Sequence, residues 1–411
     1  MAEIEIPQYF VCPISLQIMK DPVTAVTGIT YERESIEQWL LKTKVCVCPV
    51  TKQPLPRSSE YLTPNHTLRR LIQAWCSSNA SNGVDRIPTP KTPLDKIHVQ
   101  KLVRDLDVPQ CSQTVLEKML ALATESERNR TCMAEEGVAK AMVMLINKNF
   151  KEGKNNCPEE ALRIVHLLWN IPTMVNNMKH LVGKNLDFIN SLTWILQLHM
   201  DHNFKMVNEA LTLLKLTIEV ADSTPLGSLN LEFFREIMRV LRKRALLSQQ
   251  AIKSALHVLI KTCPLGRNRT RIVEAGAVKE LIEIELEKPE KNLTELIFNL
   301  LAQLCSCADG REQFLLHAAG IAMISKRILR VSPATDDRAL NIFLVIARHS
   351  ASNEVVLEML RVGAVSKLCM VMQADCASYL KEKARDTLRL HSKVWNNSPC
   401  IQVYLLTRHQ R

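Results

Sequence analysis

Past residue 95, apolar side chains recur at helical spacing almost without a break, as in Val278, Leu281, Ile282 and Leu286, which form a stripe on one helix face. The stripes themselves recur. Arg128-Asn129-Arg130-Thr131 leads to Glu136-Gly137-Val138, and Arg267-Asn268-Arg269-Thr270 leads to Ala275-Gly276-Ala277-Val278. Weaker copies run through Ala319-Gly320-Ile321 and Val362-Gly363-Ala364, so Gly276, Gly320 and Gly363 stand 44 and 43 residues apart. Degenerate anchors at Val182-Gly183 and Leu229-Asn230-Leu231 fill the interval between Gly137 and Gly276. Each anchor precedes a short stripe and then a longer apolar helix, predicted over 162–170, 211–218, 255–262, 296–305 and 340–347. Glycine suits the anchor because it reaches a left-handed turn without a clash and lets two helices approach closely. A period of this length implies an all-α solenoid, here of about six units. No unit buries its own apolar faces, so stacking builds one continuous core and leaves an extended concave surface.

The first 80 residues have a different texture, with short elements and proline-bearing loops. Tyr31 to Lys42 reads as a short helix with Ile36 and Leu40 on one face and Trp39 beside them. Leu68, Leu71, Ile72 and Trp75 recur at i, i+3, i+4 and i+7 on a second helix, a core set by pattern, with Asn65 as its N-cap. Toward residue 94 the composition shifts to Ser, Asn, Pro and Thr, with Pro88, Pro90 and Pro93 closely spaced, which marks a linker. The resulting division is a block over 5–79, a linker over 80–96, the solenoid over 97–395 and a C-terminal tail over 396–411.

Composition narrows the function classes. The 411 residues are 46% hydrophobic and 23% charged, too apolar for a mainly disordered chain and too long for one ordinary core. No apolar run approaches the ~18 residues of a membrane span, and the acidic start Met1-Ala2-Glu3-Ile4-Glu5 does not suit a targeting peptide, so a cytoplasmic protein, with the nucleus as a further compartment, is expected. Thirteen irregularly spaced cysteines argue against a disulfide framework. The net charge of +11 is dilute, and its densest cluster, Arg239 with Arg242-Lys243-Arg244, reads as a helix face with no aromatic stacking pattern beside it. Nucleic acid is therefore not an expected partner.

The N-terminal block carries the most specific residues: Phe10-Val11-Cys12-Pro13-Ile14-Ser15-Leu16, then Asp21-Pro22-Val23, Gly28-Ile29-Thr30-Tyr31, Cys48-Pro49-Val50-Thr51 and Pro64-Asn65. In this order and spacing they resemble a U-box, the metal-free relative of the RING domain found in ubiquitin ligases. A RING needs paired Cys and His ligands at short spacing. Cys12, Cys46, Cys48, Cys76 and His66 contain no C-x-x-C and cannot supply eight ligands, so neither metal nor cofactor is expected. The resemblance implies that hydrogen bonds and ion pairs replace the metal, with Ser15, Lys20, Asp21, Glu32, Arg33 and Glu34 as candidates. The repeat units match the armadillo repeat, giving a small α+β U-box followed by an armadillo solenoid. That order is similar to a family of plant U-box ligases.

The resemblance also implies a mechanism and a site. By pattern alone Trp39 is a core aromatic. In U-boxes, however, two loops and the central helix form a shallow groove for a ubiquitin-conjugating enzyme, which by position comprises Cys12, Pro13, Ile14, Trp39, Pro49 and Val50. By pattern Cys12 is equally a packing residue at the loop base. Lys52 falls where related ligases place a basic side chain touching both conjugating enzyme and ubiquitin, although lysine lacks the forked contacts of arginine. No nucleophile is needed, because the conjugating enzyme carries the thioester and the ligase acts by positioning it. The implied function is transfer of ubiquitin to a protein target selected by the repeats, with self-ubiquitination and a place in plant stress or defence signalling. Homo-oligomers are a further expectation. The alternative is a non-catalytic armadillo adaptor or scaffold. Thr63, Thr89 and Thr92 each precede a proline and are candidate sites for proline-directed phosphorylation.

Overall fold

The computed structural model describes residues 6–42, 46–56, 61–79, 94–106, 112–153, 159–172, 174–184 and 186–409. Thr89 and Thr92 lie outside these residues. The chain divides into two compact units, Met1–Pro93 and Leu94–Arg411.

In the first unit, β1 (Pro22–Thr24), β2 (Thr30–Glu32) and β3 (Thr63–Pro64) form an antiparallel sheet in the order β2-β1-β3. Val23 pairs with Tyr31 and with Pro64. The β1–β2 turn closes through Ala25 N–H to Ile29 O and Gly28 N–H to Ala25 O, with Gly28 at φ +77°. Helix α1 (Arg33–Lys42) follows β2 directly, so the central helix begins two residues later than its apolar pattern suggests. Helix α2 (His66–Ser78) starts at Asn65, whose side chain accepts the Leu68 amide at 3.0 Å. Phe10, Met19, Val23, Tyr31, Ile36, Leu40, Leu55 and Ile72 build the core. Leu71, expected in that core, is 52% exposed. The α2 stripe centres on Ile72 and Cys76, and Leu71 lies about 100° round the helix from Ile72.

The second unit opens with α3 (Lys96–Asp105) and α4 (Ser112–Glu125). Six helix triplets follow among the described residues. They are α5 (Glu127–Glu135), α6 (Val138–Lys151) and α7 (Glu159–Trp169); α8 (Met174–Val182), α9 (Asp187–His199) and α10 (Phe204–Val220); and α11 (Ser223–Gly227), α12 (Leu231–Arg242) and α13 (Gln249–Thr262). Then come α14 (Asn268–Glu274), α15 (Ala277–Leu286) and α16 (Lys291–Leu304); α17 (Ala308–Leu316), α18 (Gly320–Arg327) and α19 (Pro333–His349); and α20 (Asn353–Arg361), α21 (Ala364–Gln373) and α22 (Ser378–Leu390). Residues 399–409 do not trail away: after α23 (Ser392–Trp395), they form α24 (Pro399–His409), which packs against α21. The third helix of each triplet packs on the next, giving the ladder α4–α7–α10–α13–α16–α19–α22. One apolar cluster runs continuously from Val99 to Ile401.

The repeated sequence phrases have separable physical origins. Gly137, Gly276 and Gly363 sit at φ +74°, +87° and +77°, each just before the second helix of its triplet. Gly320 differs, being the first residue of α18 with no positive φ, and a Cβ there would stand 2.7 Å from the Phe314 carbonyl oxygen. It is glycine for space rather than for a turn. In Arg-Asn-Arg-Thr the asparagine is a staple. The Asn268 Nδ2 donates to Thr262 O at 3.1 Å and to Leu226 O at 2.8 Å, and Asn129 Nδ2 donates to Leu122 O at 3.1 Å. Carbonyls left over at helix ends thereby find donors away from water. The basic cluster at the C-terminal end of α12 and just beyond it is paired across repeats, since Arg239 and Lys243 both bind Asp201, and Arg244 binds Glu280 at 2.6 Å as well as Glu287.

Candidate functional site

The two proline loops of the first unit are built to one plan. Val11-Cys12-Pro13-Ile14-Ser15-Leu16-Gln17 is matched 36 residues later by Val47-Cys48-Pro49-Val50-Thr51-Lys52-Gln53. In each, the cysteine N–H donates to the glutamine carbonyl, at 2.8 Å from Cys12 and 2.7 Å from Cys48. The sixth residue's amide returns to the cysteine carbonyl at 2.9 Å in both. Antiparallel bridges, Val11 to Ile18 and Val47 to Pro54, close the bases. The sixth residue is left-handed in both, Leu16 at φ +55° and Lys52 at φ +60°, an uncommon backbone for non-glycine residues.

Both cysteines are fully buried. Cys12, expected on the groove, therefore presents no surface. Its sulfur accepts the amides of Ile14 at 3.4 Å and Glu32 at 3.2 Å. The Cys48 sulfur meets the Tyr31 hydroxyl at 2.9 Å and accepts from Thr27 Oγ1 and the Thr51 amide, both at 3.4 Å. Hydrogen-bond partners thus converge on both sulfurs. Burial pushes both thiols up, but these donors outweigh it, lowering Cys12 and bringing Cys48 from 9.0 to about 6. Among the described residues, no group of three or more His, Cys, Asp or Glu is placed to hold a metal ion.

Strand β2 joins the loops, because Tyr31 binds the second and the neighbouring Glu32 amide binds the first. The Glu32 carboxylate accepts the amides of Lys20 at 2.6 Å and Asp21 at 3.1 Å. Arg33, opening α1, pairs with Asp21 at 2.6 Å. Of the residues expected to replace the metal, Asp21, Glu32 and Arg33 belong to this network, Lys20 joins it through its backbone amide, and Ser15 and Glu34 are exposed.

Trp39 ties α1 to the second loop, its Nε1 donating to Val47 O at 2.9 Å while the half-buried indole packs on the core. Ile14 is half-buried against the same core, Pro13 is exposed, Pro49 is half-buried and Val50 is 50% exposed. Leu16, on the same loop as Pro13 and Ile14, is 77% exposed. Leu16 was missed, although alignment of the two loop copies marks it as the counterpart of Lys52. The exposed Lys52 curls back, its Nζ donating to Pro49 O at 2.9 Å. Thr63 is exposed in β3, paired with Thr24 and two residues ahead of the α2 cap. The surface so formed is apolar with one added cation, suited to holding and orienting a partner.

Residues 6–81 match the family profile "U-box domain", and residues 98–411 match "Plant U-box protein ARM repeat region". The chain is 42% identical over 405 residues to E3 ubiquitin-protein ligase PUB23 of Arabidopsis thaliana, covering 97% of this chain and 96% of that protein. It is 41% identical to E3 ubiquitin-protein ligase PUB24 of the same plant, with 99% and 96% covered. A solved structure concerned with the interaction between cadherin and beta-catenin shares the helical fold at a TM-score of 0.51 and 11% identity, covering 81% of this chain and 68% of that one.

Proposed function

Because this chain belongs to the plant U-box armadillo-repeat family of E3 ubiquitin ligases, we propose that its paired loops dock a ubiquitin-charged conjugating enzyme while the repeats select the protein to be modified. Pro13, Ile14, Leu16, Trp39, Pro49 and Val50 form the docking surface, and Cys12 shapes it from below. Lys52, at the loop rim, is the group that would touch ubiquitin as well as the conjugating enzyme. The observation that carries this reading is the duplicated loop, whose two copies are pinned on β2 with Leu16 of one and Val50 of the other exposed. Transfer then proceeds by restricting the motion of the thioester conjugate, so that a lysine of the target attacks it. Self-modification, association between chains, a cytoplasmic or nuclear location and a role in stress or defence signalling are parts of the same proposal.

Reconstitution tests it. The full chain with activating enzyme, conjugating enzyme, ubiquitin and ATP is expected to build ubiquitin chains, including on itself, and a fragment of residues 1–80 is expected to keep transfer while losing the target. A folded full chain that binds conjugating enzymes without stimulating transfer would favour the scaffold reading. A target held equally well by the 1–80 fragment would remove the division of labour.

A further inference from the structure

We propose that the part of the repeat ladder formed by α13, α16 and α19 is a subsite for an extended segment of the target protein, with Glu295 taking a lysine or arginine side chain and His257, Asn299 and Asn341 taking the segment's backbone. The inference deepens the reading that the repeats select the target, and rests on it. It begins with one position of the third helices. Nine residues after the N-caps Asn203, Ser248, Glu290, Ser332 and Ala377 stand Thr212, His257, Asn299, Asn341 and Asp386, a polar row across five helices that pack in succession. Both ends of the row are satisfied within the chain, Thr212 by the Asn208 carbonyl at 2.9 Å and Asp386 by Arg348 at 3.5 Å. The three members between them are not. Each is half-buried, and its side chain takes part in no hydrogen bond or ion pair among the described residues.

Asparagine is a poor helix former, and a half-buried amide without partners costs stability, so neither residue is explained by the fold. Asn268 shows what a structural asparagine does here, bonding two carbonyls, whereas Asn299 and Asn341 hold nothing. A side-chain amide both donates and accepts, as does each residue of a peptide backbone, and an extended chain has no internal partners for those groups. Packed helices lie about 8–10 Å apart and an extended chain rises about 3.3 Å per residue, so the open stretch of the row spans about six residues of a bound segment.

Charge selects the side chain. His257 and Asn299 face an open cavity of about 460 Å³ that Lys253, Glu295, Leu296 and Arg338 also line. Lys253 is paired with Glu290, and Arg338 with Asp337, which holds Lys383 as well. Burial pushes His257 down, so it adds no charge at neutral pH. Glu295, half-buried on the middle helix, is the carboxylate of this cavity and has no ion-pair partner among the described residues. Leu296 beside it is half-buried, so a lysine or arginine can lay its stem on the leucine and bring its head to Glu295. An acidic side chain would face that carboxylate and would gain a cation only by breaking an existing pair.

The test presents a positional-scanning library of soluble heptapeptides to the immobilised full chain, as wild type, Glu295→Gln, Glu295→Lys and the double variant Asn299→Ala with Asn341→Ala, and records the melting of each. Peptides held by the wild type should be enriched about tenfold in Lys or Arg at one position, as a charge-assisted hydrogen bond provides, and added salt should weaken the preference. Glu295→Gln should lose that preference, and Glu295→Lys should replace it with Asp or Glu. The double variant should hold all peptides about fivefold more weakly with the Lys or Arg preference kept and the melting temperature not lowered, because these amides bond nothing in the fold. A preference that survives Glu295→Gln, an acidic preference in the wild type, a lowered melting temperature in the double variant, or no enrichment of any peptide would overturn the subsite. The reading on which it rests would still stand, since that falls only if the 1–80 fragment holds the target as well as the full chain does.

Discussion

Replacing Trp39 separates its two contributions, surface and tether. In Trp39→Phe an aromatic ring remains but the donor to Val47 O is lost. An intramolecular hydrogen bond contributes about 1 kcal/mol net, which corresponds to roughly a fivefold change in the population of the docked loop. The expected result is a folded protein whose KM for the charged conjugating enzyme rises about fivefold with kcat little changed. In Trp39→Ala the half-buried indole goes as well. Truncating a fully buried aromatic costs roughly 3–5 kcal/mol, so about half of that, near 2 kcal/mol, is appropriate here. A unit of this size holds about 5 kcal/mol in total, so the alanine variant should melt early in its first unit while the repeats melt as before. Single-turnover discharge of the charged conjugating enzyme, run beside calorimetry, reads both effects. Full transfer by a folded Trp39→Ala protein with several conjugating enzymes would refute the surface assignment, and an unaltered KM in Trp39→Phe would refute the tether.

Other perturbations address the repeats. Gly363→Ala, where a Cβ meets nothing within 4 Å, should cost only the left-handed strain of about 1–2 kcal/mol by equilibrium denaturation. Gly320→Ala should cost more despite an ordinary φ, because the new methyl lies 2.7 Å from the Phe314 carbonyl oxygen; a smaller loss than at Gly363 would contradict this account. Asn268→Ala strips donors from two buried carbonyls and should destabilise the array by about 2 kcal/mol or more, with amide exchange rising at the ends of α11 and α13. His199 and His257 are lowered chiefly by burial, with His202 and Lys215 respectively adding repulsion, so both fold uncharged. The unfolded chain takes up their protons first, so their stabilising effect is present above about pH 6.5 and falls away as pH drops below it. The melting temperature of the full chain should decline in that range with a slope reduced in a His199→Asn, His257→Asn variant, and equal slopes would sink the assignment.

The solenoid was legible because its period, apolar stripes and glycine anchors all answer to packing that each unit shares with its neighbours. Gly320 shows the limit of that reading, since a glycine needed for space and a glycine needed for a turn look alike in one sequence. Leu71 fell to the same helical spacing that placed Ile72 correctly, because four positions on a short helix span more arc than the core covers. Cys12-Pro13 and Cys48-Pro49 mark the loops in the sequence, whereas the exposure of Leu16 follows from a backbone that the sequence does not signal. A buried cysteine that gathers amide protons has no composition signal distinguishing it from one at a surface. The left-handed backbone at Leu16 and Lys52 is also silent, for neither residue type prefers it.

Strand β2 has a consequence for how the docking surface tolerates change. Tyr31 and Glu32 are successive residues, and successive side chains on a strand point to opposite faces. One holds the second loop by its side chain and the other holds the first by its amide. The separation of the two loops is therefore set by one backbone amide on one side and the reach of one phenol ring from the adjacent residue on the other, rather than by the sum of many side-chain contacts. Loop residues can vary in size and polarity and alter which partner is preferred, while the gauge between the two halves of the surface stays that of the strand.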